Sequence, residues 1–166
     1  MPYRLLPLKN QEEFTMSHYL LTQFELLKGR FLGDLEDVTD DIVTIQPDGF
    51  NNTILWHVGH LVTVNEQFMF GYPKKSTFLP ENYMNLFAKG TSPSGWNGEI
   101  PSIADLVNQF TEQVTRIQQI PVERFEERLK QPFLGLETFG EITNLALFHI
   151  AYHLGQIHAM KLMLQK

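Results

Sequence analysis

The stretch Ser102-Ile103-Ala104-Asp105-Leu106-Val107-Asn108-Gln109-Phe110-Thr111-Glu112-Gln113-Val114-Thr115-Arg116-Ile117 decides the class of fold. Its apolar residues Ile103, Leu106, Val107, Phe110, Val114 and Ile117 recur at intervals of three and four. That spacing lines one side of an α-helix and cannot line one side of a strand. Ser102 with Asp105 three residues later is a partial capping pattern for its start. Upstream, Asn52 or Thr53 caps a second helix, since either side chain can accept from a free first-turn N–H. Leu55, Val58, Leu61, Val62, Phe68 and Met69 supply its apolar side, and it runs to about Phe70, before Gly71-Tyr72-Pro73. Further upstream, Glu12 to Leu35 reads as a first long helix. Its stripe is Phe14, His18, Leu21, Glu25 and Leu32, with Leu20, Phe24, Leu27 and Phe31 alongside. Downstream, Gly140-Glu141-Ile142-Thr143 opens a last helix that continues to the C-terminus.

The segments between these helices carry breakers. Asp34 to Gly49 is polar and acidic, with Pro47 and Gly49, and reads as a loop. Pro73 to Pro101 holds four prolines and three glycines and is long for a compact domain, which is often a sign of function. Glu81 to Lys89 forms a short helix within it. Pro121 breaks the third helix, Val122 to Leu129 is a helical turn, and Phe133 to Phe139 is extended. Four long amphipathic helices without a convincing strand predict an all-α four-helix bundle. The long connection between helices 2 and 3 favours an up-down-down-up arrangement, and residues 1–166 form a single domain.

Composition narrows the function. The chain has 166 residues, 43% hydrophobic and 19% charged, as an ordinary globular domain does. Thirteen Lys and Arg against 19 Asp and Glu leave a formal net charge of −6, the opposite of the basic footprint that binds nucleic acid. There is no Cys, so disulfides, thiolate metal sites and a cysteine nucleophile are excluded. No apolar run reaches the roughly 20 residues that cross a bilayer. Lys9, Glu12 and Glu13 interrupt any signal-peptide core, so a cytoplasmic location is expected.

Six histidines remain: His18, His57, His60, His149, His153 and His158. His149 and His153 are four apart, so both imidazoles lie on one helix face and can reach one ion. The sequence is not His-Glu-x-x-His, because Ile150 stands where a zinc protease carries its glutamate. A third ligand must come from another helix, and His57-Val58-Gly59-His60 is the source. Residues three apart share a face only in part, so one of His57 and His60 ligates while the other stands aside or hydrogen-bonds a ligand. Gly59 weakens the helix there, which points to close packing of another element. Gln156 lies on the same stripe as His149 and His153, within reach of a bound water, and Glu66 and Glu141 are further candidates to orient an imidazole. His18 and His158 read as exposed or packing residues. Trp56, Trp96, Phe87 and Tyr152 could line a pocket, although aromatics in a bundle are core by default.

Two segments carry a family resemblance. Phe148-His149-Ile150-Ala151-Tyr152-His153-Leu154-Gly155-Gln156-Ile157 resembles the C-terminal signature of the DinB-like superfamily, and Asn52-Thr53-Ile54-Leu55-Trp56-His57-Val58-Gly59-His60-Leu61 is similar to its second-helix signature. The resemblance covers nearly the whole chain. It implies a four-helix bundle in which three histidines hold a divalent metal with at least one position open, the ligands by position being His60, His149 and His153. His57 stands where the family often has another residue. Characterised members include transferases that join bacillithiol or mycothiol to electrophiles, a metal-dependent hydrolase and an isomerase. The expected cofactor is one divalent ion, zinc or nickel, because imidazole suits both. The expected partners are a small-molecule substrate and a low-molecular-weight thiol, which must be a cosubstrate in a chain without Cys. The expected activity is thiol transfer. The alternatives are metal-dependent hydrolysis and a non-catalytic metal-binding or interaction module. No nucleic-acid or membrane partner is expected, and a homodimer is the expected assembly.

Overall fold

The computed structural model describes residues 16–71 and 75–165. The chain is mostly helical. Among the described residues the helices are α1 (Met16–Leu35), α2 (Asp40–Val43), α3 (Ile54–Phe70), α4 (Tyr83–Phe87), α5 (Ile103–Ile117) and α6 (Phe139–Leu164). A hairpin of β1 (Arg128–Phe133) and β2 (Leu136–Thr138) precedes α6, and short 3-10 turns span Pro93–Gly95 and Val122–Glu126. No helix is long and apolar enough to cross a membrane among the described residues.

The helix starts follow from their caps. Thr53 accepts from the Trp56 N–H through its hydroxyl and so starts α3. Ser102 and Asp105 form a full capping box on α5, and Thr138 and Glu141 form another on α6. Glu141 is thereby committed to the backbone, accepting from the Glu137 and Thr138 N–H groups, and orients no imidazole. These hydrogen bonds to the charged form hold its pKa below the usual carboxylate value.

α6 packs against both α1 and α3, and α5 packs against the same two helices. The core between them is aromatic and aliphatic. Phe24, Phe31, Phe110, Leu106, Ile117 and Ile157 are fully buried, and the Phe31 and Phe110 rings lie 4.4 Å apart.

Several sequence expectations change. The inner face of α1 is Leu20, Phe24, Phe31 and Leu35, whereas His18, Glu25 and Leu32 face outward. Both sets have helical spacing, and the larger buried area of the two phenylalanines decides between them. Glu12 and Phe14 lie outside the described residues. α3 is not amphipathic in its first half: every residue from Ile54 to Thr63 is buried, because α5, α6, α4 and α2 all contact this helix. The acidic loop holds the short helix α2. The segment after Glu126 is a hairpin rather than a helical turn followed by one extended run. Its two-residue turn places Leu134 at φ 52° and Gly135 at φ 83°, the left-handed pair that two-residue hairpins use. Leucine is a poor turn signal, so the turn is hard to read in the sequence.

Candidate metal centre

α3 and α6 bring four of the six histidines together. The capped start of α3 sets His57 and His60 one turn apart near its N-terminus, and α6 presents His149 and His153 one turn apart at mid-length. One nitrogen from each of His60, His149 and His153 lies within 4.8 Å of the other two, a grouping that can hold a metal ion. His57 is outside that grouping.

The hydrogen bonds assign the protons. The Nδ1–H of His60 donates to the Phe87 carbonyl oxygen at 2.6 Å, since a carbonyl can only accept. Its Nε2 therefore carries the lone pair, and that atom lies 3.1 Å from His149 Nε2. A ring nitrogen held this way fixes the tautomer that a ligand needs. His57 Nδ1 and His153 Nδ1 are 2.9 Å apart, so one ring donates to the other. His149 Nδ1 is buried without a partner among the described residues.

Burial sets the charge state of the cluster. It lowers the pKa of His57 and of His149 to about 4, with the neighbouring His60 as a smaller cause, and that of His153 to about 3, with His149, His60 and His57 adding to the effect. His60 is lowered for the same reason, against the opposing hydrogen bond to Phe87. The four rings are therefore neutral at pH 7, with lone pairs available.

Aromatic groups frame the rings. The Trp56 indole stacks on His60 with centroids 4.6 Å apart and planes 12° from parallel, and Phe68 meets His149 edge-on at 6.0 Å. Gly59 explains how Phe87 reaches His60. A Cβ on Gly59 would overlap the Phe87 ring, so only glycine lets the fully buried ring close on α3. The close packing expected at Gly59 comes from α4. The Trp56 Nε1–H donates to Thr91 Oγ1 at 2.9 Å, and the Trp96 Nε1–H donates to the Leu86 carbonyl at 2.7 Å. Both bonds tie the long connection down beside the histidines.

The three grouped imidazoles open onto a cavity of about 800 Å³, whose wall also includes Trp56, Thr63, Phe68 and Lys89. Among the described lining residues neither His57 nor Gln156 appears. Gln156 donates to the Tyr152 hydroxyl at 3.2 Å. Glu66 is buried one turn and a half beyond His60 and orients no histidine: it accepts from Arg116, Gln113 and Ser76. His18 is exposed on α1, and His158 hydrogen-bonds Asp34 at 2.9 Å, joining α6 to α1 away from the cluster. Three features escaped sequence reasoning. Thr63 lies one turn after His60 on the same face of α3, a spacing that could have revealed it. The Phe87 carbonyl and Lys89 lie in the long connection, where no periodicity marks them.

A model of the DinB superfamily matches residues 23–157, most of the chain and all four clustered histidines. The chain belongs to the DinB superfamily. No protein of curated function matches it. For this DinB-superfamily chain, then, the family and a histidine triad able to bind a metal rest on two independent observations: the matched span and the converging nitrogens.

Proposed function

We propose that this protein is a metal-dependent transferase that joins a low-molecular-weight thiol to small electrophiles, with His60, His149 and His153 holding one divalent ion, zinc or nickel. The observation that carries the reading is the convergence of three neutral imidazoles on the wall of an open cavity, with His57 outside the group. A structural site closes its coordination shell with four protein ligands, whereas a catalytic site keeps a position for a small molecule. The His60 Nε2 lone pair, fixed by the Nδ1–H bond to Phe87, faces His149 Nε2 at 3.1 Å, and one ion held between the two rings and His153 fits that approach. The same reading takes the four long helices as one bundle, supported by α5 and α6 each packing on both α1 and α3, in the up-down-down-up order that the long connection favours.

When bound, such an ion supplies Lewis acidity that favours the deprotonated form of a thiol or of water at neutral pH. The chain's own residues do the rest. The Phe87 carbonyl holds His60 in one tautomer, His57 steadies the His153 ring, and Trp56 shields His60 from water. The absence of Cys makes any thiol a cosubstrate. Hydrolysis is the second reading, favoured by the same open cavity, which admits water as readily as a thiol.

Elemental analysis followed by a conjugation screen tests this. About one zinc or nickel ion per chain is expected, together with mass-spectrometric detection of adducts between a small thiol and an electrophile. Metal without adducts, but with ester or amide cleavage, would move the assignment to hydrolase. Metal without any turnover would leave a binding module.

A further inference from the structure

The wall of the triad cavity differs from the rest of the molecule in charge. The chain carries 19 acidic against 13 basic residues, yet among the described lining residues there is no carboxylate, and Lys89 is the one Lys or Arg. Among the described residues Lys89 forms no ion pair, and no acidic side chain of the lining competes for it. The neutral side chains near it in sequence, Thr91 and Ser92, and Asn51 and Asn52 at the start of α3, share the lining. The loop that carries Lys89 is held in place. Thr91 Oγ1 accepts from Trp56 and also lies 2.8 Å from the Leu86 and Ala88 carbonyls, so this loop is pinned to the first turn of the helix that carries His60.

A second observation points into the same cavity. Thr63 is only 3% exposed, lines the cavity, and leaves its hydroxyl oxygen without a partner among the described residues. A buried hydroxyl without a partner is costly, and a polar group on a ligand removes that cost. Trp56, Phe68 and Phe133 add an aromatic wall suited to the apolar body of such a ligand.

We propose that this cavity selects a small organic acid: Lys89 pairs with its carboxylate, Thr63 hydrogen-bonds a polar group on its body, and its other end faces His60, His149 and His153. The proposal rests on the preceding reading for what happens at the histidines, but the recognition of charge does not need the ion. An elongated molecule with one anionic end fits the polarity of the wall. A cation would find no counter-charge among the described lining residues.

The test is calorimetric and uses the metal-free full-length protein. The probes are 3-(4-hydroxyphenyl)propionate and its neutral counterpart 3-(4-hydroxyphenyl)propan-1-ol. The acid is expected to bind about tenfold more tightly than the alcohol, a difference of about 1.4 kcal/mol. Lys89→Glu is expected to abolish that preference, and because the side chain is exposed the variant is expected to fold as the unmodified protein does. Thr63→Val is expected to weaken both probes alike. Equal binding of acid and alcohol by the unmodified protein, a preference that survives Lys89→Glu, or no saturable binding of the acid would each overturn the proposal. Metal loading is measured separately by competition with a chelating dye. A protein that prefers the acid but binds no ion would keep this site and lose the transferase reading, and a protein that binds an ion without preferring the acid would do the reverse.

Discussion

α3 carries two buried polar clusters, and they are satisfied in opposite ways. In its second half Glu66 accepts from both terminal nitrogens of Arg116 at 3.0 Å, from Gln113 at 2.8 Å and from Ser76. Arg116 is in turn held between the Phe70 and Phe78 rings, 3.9 Å from each centroid. Both oxygens of that carboxylate have donors, and the cluster ties α3, α5 and the long connection together. In the first half of α3 the histidines find mainly one another. The Nε2 atoms of His60 and His149 face each other at 3.1 Å, His149 Nδ1 is orphaned, and a cavity opens beside them. Burial of polar groups is common to both clusters. What separates a candidate site from a structural brace is convergence of neutral ring nitrogens on open space.

Removing a triad member should separate the clusters most sharply. His149→Ala or His153→Ala should abolish metal retention, whereas His18→Ala and Glu66→Ala should keep about one ion per folded chain. Elemental analysis after gel filtration reads this directly, and equal metal in all four variants would erase the distinction. The next effect is on pH. The rings of His57, His149 and His153 titrate at about 3 to 4 in the fold, against 6.5 in an unfolded chain. Between those values the unfolded chain binds more protons, so stability rises with pH across the window. The contribution is whole above pH 6.5, is lost progressively as pH falls, and levels off below about pH 3. Urea titrations of the metal-free protein at pH 7.5 and 5 should show it, and His153→Gln should flatten the slope. A midpoint unchanged between the two pH values would contradict the buried, neutral state of the cluster.

Glu66→Ala tests the other half of the comparison. It strands Arg116 and Gln113, and the loss should be about 2–4 kcal/mol, below the upper range for a buried pair because Arg116 keeps some contact with water. Denaturant unfolding measures it. A loss under about 0.5 kcal/mol would show that the Phe70–Arg116–Phe78 stack holds the connection without the carboxylate.

The two clusters also show what a sequence can reveal. Helical period, the capping pattern at Ser102, and the four-residue spacing of His149 and His153 are local signals, and each survives in the structure, whereas the equally local Thr138–Glu141 box went unread. The partners that give a buried polar residue its meaning are distant in the chain. Nothing near Glu66 announces Arg116 fifty residues away, and nothing near His60 announces the carbonyl of Phe87. The outward stripe of α1 was equally illegible, because its inner and outer faces both repeat with helical spacing and only packing against Phe110 separates them. The Leu134-Gly135 turn escaped because its first residue takes a left-handed conformation that leucine seldom adopts.

His57 sharpens the boundary of the site. It touches His153 at 2.9 Å but lies outside the group of three. His57→Ala should therefore lower metal affinity by about 10–100-fold, the range for a residue that orients a ligand, while His60→Ala should remove binding altogether. Titration of the apo-protein against a chelating dye resolves the two. If His57→Ala also removed binding, the shell would be closed by four imidazoles and the open-site chemistry would fail.

The smallest effect concerns a single methyl group. Gly59→Ala gains about 1 kcal/mol of helix propensity and sets against it an overpacking cost of about 1–3 kcal/mol, because the new Cβ overlaps a Phe87 ring that is fully buried. The net loss of stability should be about 0–2 kcal/mol. Its effect on the histidines should be clearer than its effect on the fold. The Phe87 ring is fully buried and has little room to rotate away, so the shift is expected to reach its backbone and displace the carbonyl that holds the Nδ1–H of His60. Metal affinity should fall severalfold even where the midpoint of unfolding hardly shifts. Gly155→Ala on α6 is the matched control: nothing lies near the added Cβ, so it should stabilise by up to about 1 kcal/mol and leave metal affinity as it was. Nitrogen chemical shifts of the His60 ring in the two variants would report the tautomer. An unchanged Nδ1–H signal in Gly59→Ala, with metal affinity intact, would show that Phe87 yields around the methyl and that the carbonyl does not depend on the glycine.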